Sequence, residues 1–137
     1  MEQEDKELLL KDLCARLPYG VKCINIRWPR DGHVKISNID TNSQKVQIFE
    51  DWCDINDCKP YLRPMSSMTE DERKYIEDKC AFTTIGPIGG KFCLAMPVVA
   101  TEWLTDFYNS HYLDWRGLIQ MGLALEASEG MYDIKEK

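Results

Sequence analysis

Residues 21–48 read Val-Lys-Cys-Ile-Asn-Ile-Arg-Trp-Pro-Arg-Asp-Gly-His-Val-Lys-Ile-Ser-Asn-Ile-Asp-Thr-Asn-Ser-Gln-Lys-Val-Gln-Ile. Apolar side chains recur here every second residue, the period of a pleated strand. Ile24, Ile26 and Trp28 alternate in a first strand, Val34 and Ile36 in a second, Val46 and Ile48 in a third. Val21 and Cys23 fall on the opposite parity of the first strand, which therefore bends or is buried on both faces. Asp31-Gly32 and Asp40-Thr-Asn-Ser43 supply turns between them, since Asp, Asn and Gly tolerate left-handed or side-chain-capped backbone. A fourth strand through Tyr61 and Leu62 lies between Pro60 and Pro64, which assigns it to a sheet edge. Short sequential antiparallel strands of this size predict a small, curved sheet that can close as an SH3-like barrel.

Helices flank this region. Leu10, Leu13, Cys14 and Leu17 fall at i, i+3, i+4 and i+7, with Leu8 and Leu9 widening the stripe. Glu7, Lys11, Asp12 and Arg16 are expected to face solvent, and Pro18 with Gly20 ends the helix. Thr69-Glu-Asp-Glu72 is a capping box that starts a helix over 70–80, with acids at the positive end of its dipole. A hairpin is predicted around Gly86-Pro-Ile-Gly-Gly90, then a helix over 101–109 carrying Trp103, Leu104, Phe107 and Tyr108. Asp114 is placed to cap a helical turn containing Trp115, Leu118 and Ile119, and the polar tail after Ser128 is expected to fray. The fold class is α+β: one domain of 137 residues, with an N-terminal helix, a curved antiparallel sheet, then helices with a β-hairpin.

Composition bounds the function. Apolar residues are 44% and charged residues 29%, ordinary for a globular protein, and no apolar run approaches the roughly 20 residues of a membrane helix. The N-terminus, Met-Glu-Gln-Glu-Asp-Lys, is acidic where a signal peptide is basic, so a cytoplasmic protein is expected. A net charge of −6 argues against a general grip on nucleic acid, which needs a basic surface. Six cysteines are even in number, yet Cys14, Cys23, Cys80 and Cys93 sit beside apolar residues and read as buried thiols. Cys53 and Cys58, five apart in a polar loop, can lie close enough to pair.

Chemical motifs are sparse. Gly89-Gly90-Lys91 is followed by Phe92 where a phosphate loop needs Ser or Thr, and His and Cys are too scattered for a zinc site. No cofactor and no metal are therefore expected. His111 precedes Asp114 by three residues, so a His–Asp contact around the turn makes these two the candidate catalytic residues of a hydrolase or transferase. No Ser or Cys stands in a nucleophile-elbow context to complete them.

Binding readings have more residues behind them. Arg27-Trp28-Pro29-Arg30-Asp31-Gly32-His33 sets an indole between two guanidiniums, and Arg27, Trp28, Arg30 and His33 can clamp a small anionic, nucleotide-like ligand. The competing structural role has Trp28 closing the sheet and the arginines solvated. Trp52 stands among acids in Asp51-Trp-Cys-Asp-Ile-Asn-Asp57, where it suits a basic surface on a protein partner or anchors the loop to the core. Aromatic density from Trp103 to Trp115 fits core packing, with a groove or homo-oligomer face as the alternative.

Three segments carry a family resemblance: Lys6-Glu-Leu-Leu-Leu-Lys-Asp-Leu-Cys-Ala-Arg-Leu-Pro-Tyr-Gly-Val-Lys22, Lys59-Pro-Tyr-Leu-Arg-Pro-Met-Ser-Ser-Met-Thr-Glu-Asp-Glu72, and Asp114-Trp-Arg-Gly-Leu-Ile-Gln-Met-Gly-Leu-Ala-Leu-Glu-Ala127. Together they resemble a group of small uncharacterised proteins of gut Bacteroides and their phages. The resemblance implies a helix, curved sheet and helix fold and nothing about catalysis. Its phage association implies an accessory role, and an acidic surface with a few aromatic anchors suits a non-enzymatic protein that binds a host or phage protein.

Overall fold

The computed structural model describes residues 2–29, 34–48, 50–81 and 98–132, without the side chains of 80–81 and 98–101. The elements are α1 (Gln3–Arg16), β1 (Lys22–Asn25), β2 (Val34–Asp40), β3 (Lys45–Ile48), β4 (Asp51–Asp54), β5 (Cys58–Leu62), α2 (Glu70–Ala81), α3 (Val98–Ser110) and β6 (Leu125–Glu126). The α+β class holds, with one sheet in the order β4-β3-β2-β1-β5-β6. All pairings are antiparallel except β5 with β6, so the sheet is mixed. The predicted hairpin around Gly86–Gly90, together with Cys93, lies outside the described residues.

The sheet curls because one connection is too short for a flat one. In a flat sheet β4 and β5 would stand four strand spacings apart, roughly 19 Å. The chain crosses between them through a single 3-10 turn, Ile55–Asp57. Four Cα steps span at most about 14 Å fully extended, and far less when wound. The strands must therefore wrap round, and they do so without closing into a barrel, since β4 and β5 share no ladder. Leu9, Leu13, Val21, Cys23, Val46, Ile55, Leu62 and Leu118 fill the hollow, all at or near zero exposure.

The first strand ends sooner than its alternation suggests. Asn25 turns its side-chain oxygen back to accept from the Arg27 and Trp28 amides, at 3.0 and 3.2 Å. This Asx turn stops β1 at Asn25, leaving Ile26 and Trp28 in a turn while Val21 and Cys23 take the core. The prolines of 58–64 do not put β5 at an edge either. The Ile26 amide donates to the Asp57 carbonyl at 2.8 Å, which fixes the ladder phase and places Pro60, opposite Cys23, at a non-bonding position. Its missing N–H is not needed there. On the other side, β6 pairs only from Tyr61 onward.

In α1 the buried face is rotated from the expected one. Leu9, Leu10 and Leu13 are inside, Cys14 is exposed, and Asp12 and Arg16 are wholly buried. Arg16 Nε donates to Asp12 Oδ2 at 2.9 Å, and its Nη2 donates to the Leu113 carbonyl at 2.7 Å. Arg116 Nε donates to the other oxygen, Asp12 Oδ1, at 3.0 Å, and its guanidinium lies over the Trp115 ring. Two charges that look solvated on a helix wheel thus bind α1 to a segment about a hundred residues later. Arg16 Nη1 is the one buried side-chain nitrogen or oxygen without a partner among the described residues.

The tail is tied down as far as Tyr132. Its hydroxyl donates to the Tyr61 carbonyl and accepts from the Lys22 amide, each at 2.8 Å, and its ring stacks on Tyr112. No helix among the described residues is long and apolar enough to cross a membrane. Breaking a buried ion pair from one side strands the remaining charge. Asp12→Ala should therefore lower unfolding free energy by about 3–5 kcal/mol in urea titrations. Lys11→Gln, one residue away on the exposed side, should change it by less than about 0.5 kcal/mol.

Candidate functional site

The sequence around Trp52 forms an edge strand, not a loop. Its register sets Lys45 opposite Asp54, Val46 opposite Cys53, Gln47 opposite Trp52 and Ile48 opposite Asp51. Period two sends Cys53 into the core and leaves Trp52 and Asp54 on the other face. Trp52 is 48% exposed, and Glu50, Asp51 and Asp54 around it are exposed as well. The Asp54 carboxylate accepts from the Asn56 amide at 2.9 Å, which starts the 3-10 turn and fixes where the strand ends. An indole held half in solvent among three acids, on a strand with no described neighbour on its outer side, is the most distinctive surface of the described residues.

The inward side of this strand contributes one of three neighbouring thiols. Cys23, Cys53 and Cys58 come from β1, β4 and β5, and all are free and buried. Cys58 lies beside both Cys53 and Cys23. The contact with Cys58, then burial, pushes the Cys53 thiol far up; the Cys23 contact and burial do the same to Cys58. These are packing thiols held protonated, where a nucleophile would need a depressed pKa. No group of three His, Cys, Asp or Glu among the described residues is arranged to hold a metal ion.

The Arg27–Trp28 turn is displayed, not packed across the sheet. The Arg27 side chain is 82% exposed and, among the described residues, pairs with Asp57 at 3.9 Å, while Trp28 is 60% exposed. Arg30 and His33, the other members of the predicted clamp, lie outside the described residues.

His111 and Asp114 are not brought together for catalysis. Both Asp114 oxygens cap the following turn, accepting from the Leu118 and Ile119 amides at 2.8 and 2.9 Å. The carboxylate that meets His111 is Glu72, 2.7 Å from Nδ1, and the imidazole stacks on Phe107. Glu72 also receives both Arg63 terminal nitrogens at 2.8 Å and the Thr69 amide at 2.8 Å, the latter closing the capping box with Thr69 Oγ1. Arg63 donates further to the carbonyls of His111 and Ser67. One buried carboxylate thereby locks the end of β5, the start of α2 and the end of α3 together. Sequence spacing pointed to Asp114 because it is local; the real partner is 39 residues away.

Searches against protein-family models, curated proteins and solved structures return no match to this chain.

Burial works against the Glu72 charge, but the Arg63, Thr69 and His111 hydrogen bonds outweigh it and hold the carboxyl at about 2. A carboxyl depressed in the folded state stabilises it above the unfolded pKa of about 4.3, and that stability drains as pH falls toward 2. Glu72→Gln should cost about 3 kcal/mol near neutral pH, and its gap from wild type should shrink between about pH 4.5 and 2. Urea unfolding across that range checks both the size and the sign.

Proposed function

We propose that this chain is a non-enzymatic binding protein whose partner is another protein, engaged through the surface around Trp52. The observation that carries the reading is a half-exposed indole on an acidic edge strand whose outer side has no neighbour among the described residues. Trp is among the residues that most often dominate protein–protein binding energy, and here its rigid strand holds it out of the core. The histidine and carboxylates that a hydrolase or transferase would use are committed to architecture: His111 to Glu72, and Asp114 to a turn. The resemblance to Bacteroides and phage proteins supports an accessory role, with a host or phage protein as the partner.

A second reading, a small anionic ligand held by Arg27 and Trp28, is favoured by the exposure of both side chains. One experiment separates the two. A photo-crosslinking amino acid replacing Trp52 should trap one dominant protein in cells, whereas the same group replacing exposed Tyr75 should not. Trapping at neither position contradicts the protein-binding reading. A nucleotide-sized mass that stays with the native protein and is lost in Trp28→Ala would favour the small ligand instead.

A further inference from the structure

We propose that β4 takes a basic, extended segment of its partner as an added strand, with Trp52 and Asp54 as the recognition pair. This rests on the protein-binding reading above and gives it a chemistry and a geometry. The phase of the ladder decides which backbone groups are available. The Ile55 amide donates to the Gln44 carbonyl at 3.0 Å. In an antiparallel ladder bonded and non-bonded pairs alternate, so Val46 with Cys53 and Ile48 with Asp51 exchange bonds. The backbone of Trp52 and Asp54 then points to the open side. The Asp54 carbonyl accepts the Cys53 thiol at 3.4 Å, which leaves three main-chain groups for an incoming strand. These are the Trp52 N–H, the Trp52 C=O and the Asp54 N–H.

Charge selects the occupant. Trp52 and Asp54 share one face, and an incoming strand would lay alternate side chains beside them. A lysine or arginine there meets the face of an indole and a carboxylate at once, with Glu50 and Asp51 adding to the local field. A second copy of this chain is selected against. Pairing about a two-fold axis at Trp52 would set Glu50 of one copy opposite Asp54 of the other, and like charges directly opposite repel. Acids alone would be enough to protect an edge from aggregation. A half-exposed indole in their midst adds nothing to that protection and much to recognition. The strand is four residues long, so the encounter is of the small, transient kind.

The test is an NMR titration of the labelled full chain with peptides about eight residues long, alternating Val with Lys, with Gln or with Glu. The lysine peptide should shift the Trp52, Cys53 and Asp54 amides and bind at least about tenfold more tightly than the glutamine one. Its affinity should fall as salt shortens the Debye length below about 10 Å, and Trp52→Thr should weaken it about tenfold while keeping the folded spectrum. Equal binding of all three peptides at β4 overturns the basic preference and leaves the protein-binding reading standing. Lysine-peptide binding that shifts amides elsewhere overturns strand addition. Binding by none of the three overturns the proposal, and the crosslinking experiment then judges the broader reading separately.

Discussion

The connection Ile55–Asp57 governs this structure. One 3-10 turn joins strands that a flat sheet would hold four positions apart, so the sheet has no choice but to curl. The curl creates the hollow that Leu9, Leu13 and Leu118 fill, and it brings three thiols from β1, β4 and β5 into contact. It also stops short of closure. β4 is left with β3 on one side and no described strand on the other. The same constraint that builds the core therefore leaves the edge on which Trp52 sits.

Buried charges then fix the helices to the curled sheet. Asp12 gathers Arg16 and Arg116, and Glu72 gathers Arg63, His111 and the Thr69 amide. Buried ion pairs are in general no more stabilising than well-packed apolar residues of similar volume. What ionic pairs supply is a geometry: Arg63 grips Glu72 with both terminal nitrogens, and Arg16 and Arg116 each hold one Asp12 oxygen through Nε, which admits only a narrow set of approaches. Arg16 Nη1 without a partner shows that the fit around Asp12 was achieved at some cost. The Glu72 network draws in His111, which a reading for catalysis would single out, and this explains why His111 faces Glu72 and not Asp114.

Features decided by neighbouring residues were legible in the sequence, and those decided by distant ones were not. Thr69 and Glu72 are three apart, so the capping box could be read directly, and α2 starts at Glu70 as expected. Alternation at Val34–Ile36 and Val46–Ile48 likewise located β2 and β3. Asp12 and Arg16 read as solvated because their compensating groups, Leu113 and Arg116, are a hundred residues on. β4 was hidden by its acids, which hold its one buried residue, Cys53, between exposed neighbours and leave no hydrophobic run. The proline rule placed β5 at an edge, yet ladder phase allows Pro60 inside the sheet. Trp52 was visible as an unusual residue among acids; that it lies on an edge strand was not.

The account stands or falls on the curled but unclosed sheet and its outward-facing edge. Residue-resolved hydrogen exchange of the unliganded protein tests this most directly. The Cys53 and Val46 amides should exchange slowly, because they bond each other's carbonyls across β3 and β4, while the Trp52 amide next to them should exchange rapidly. A Trp52 amide as strongly protected as that of Cys53 would mean that the edge is already paired, and would contradict the account.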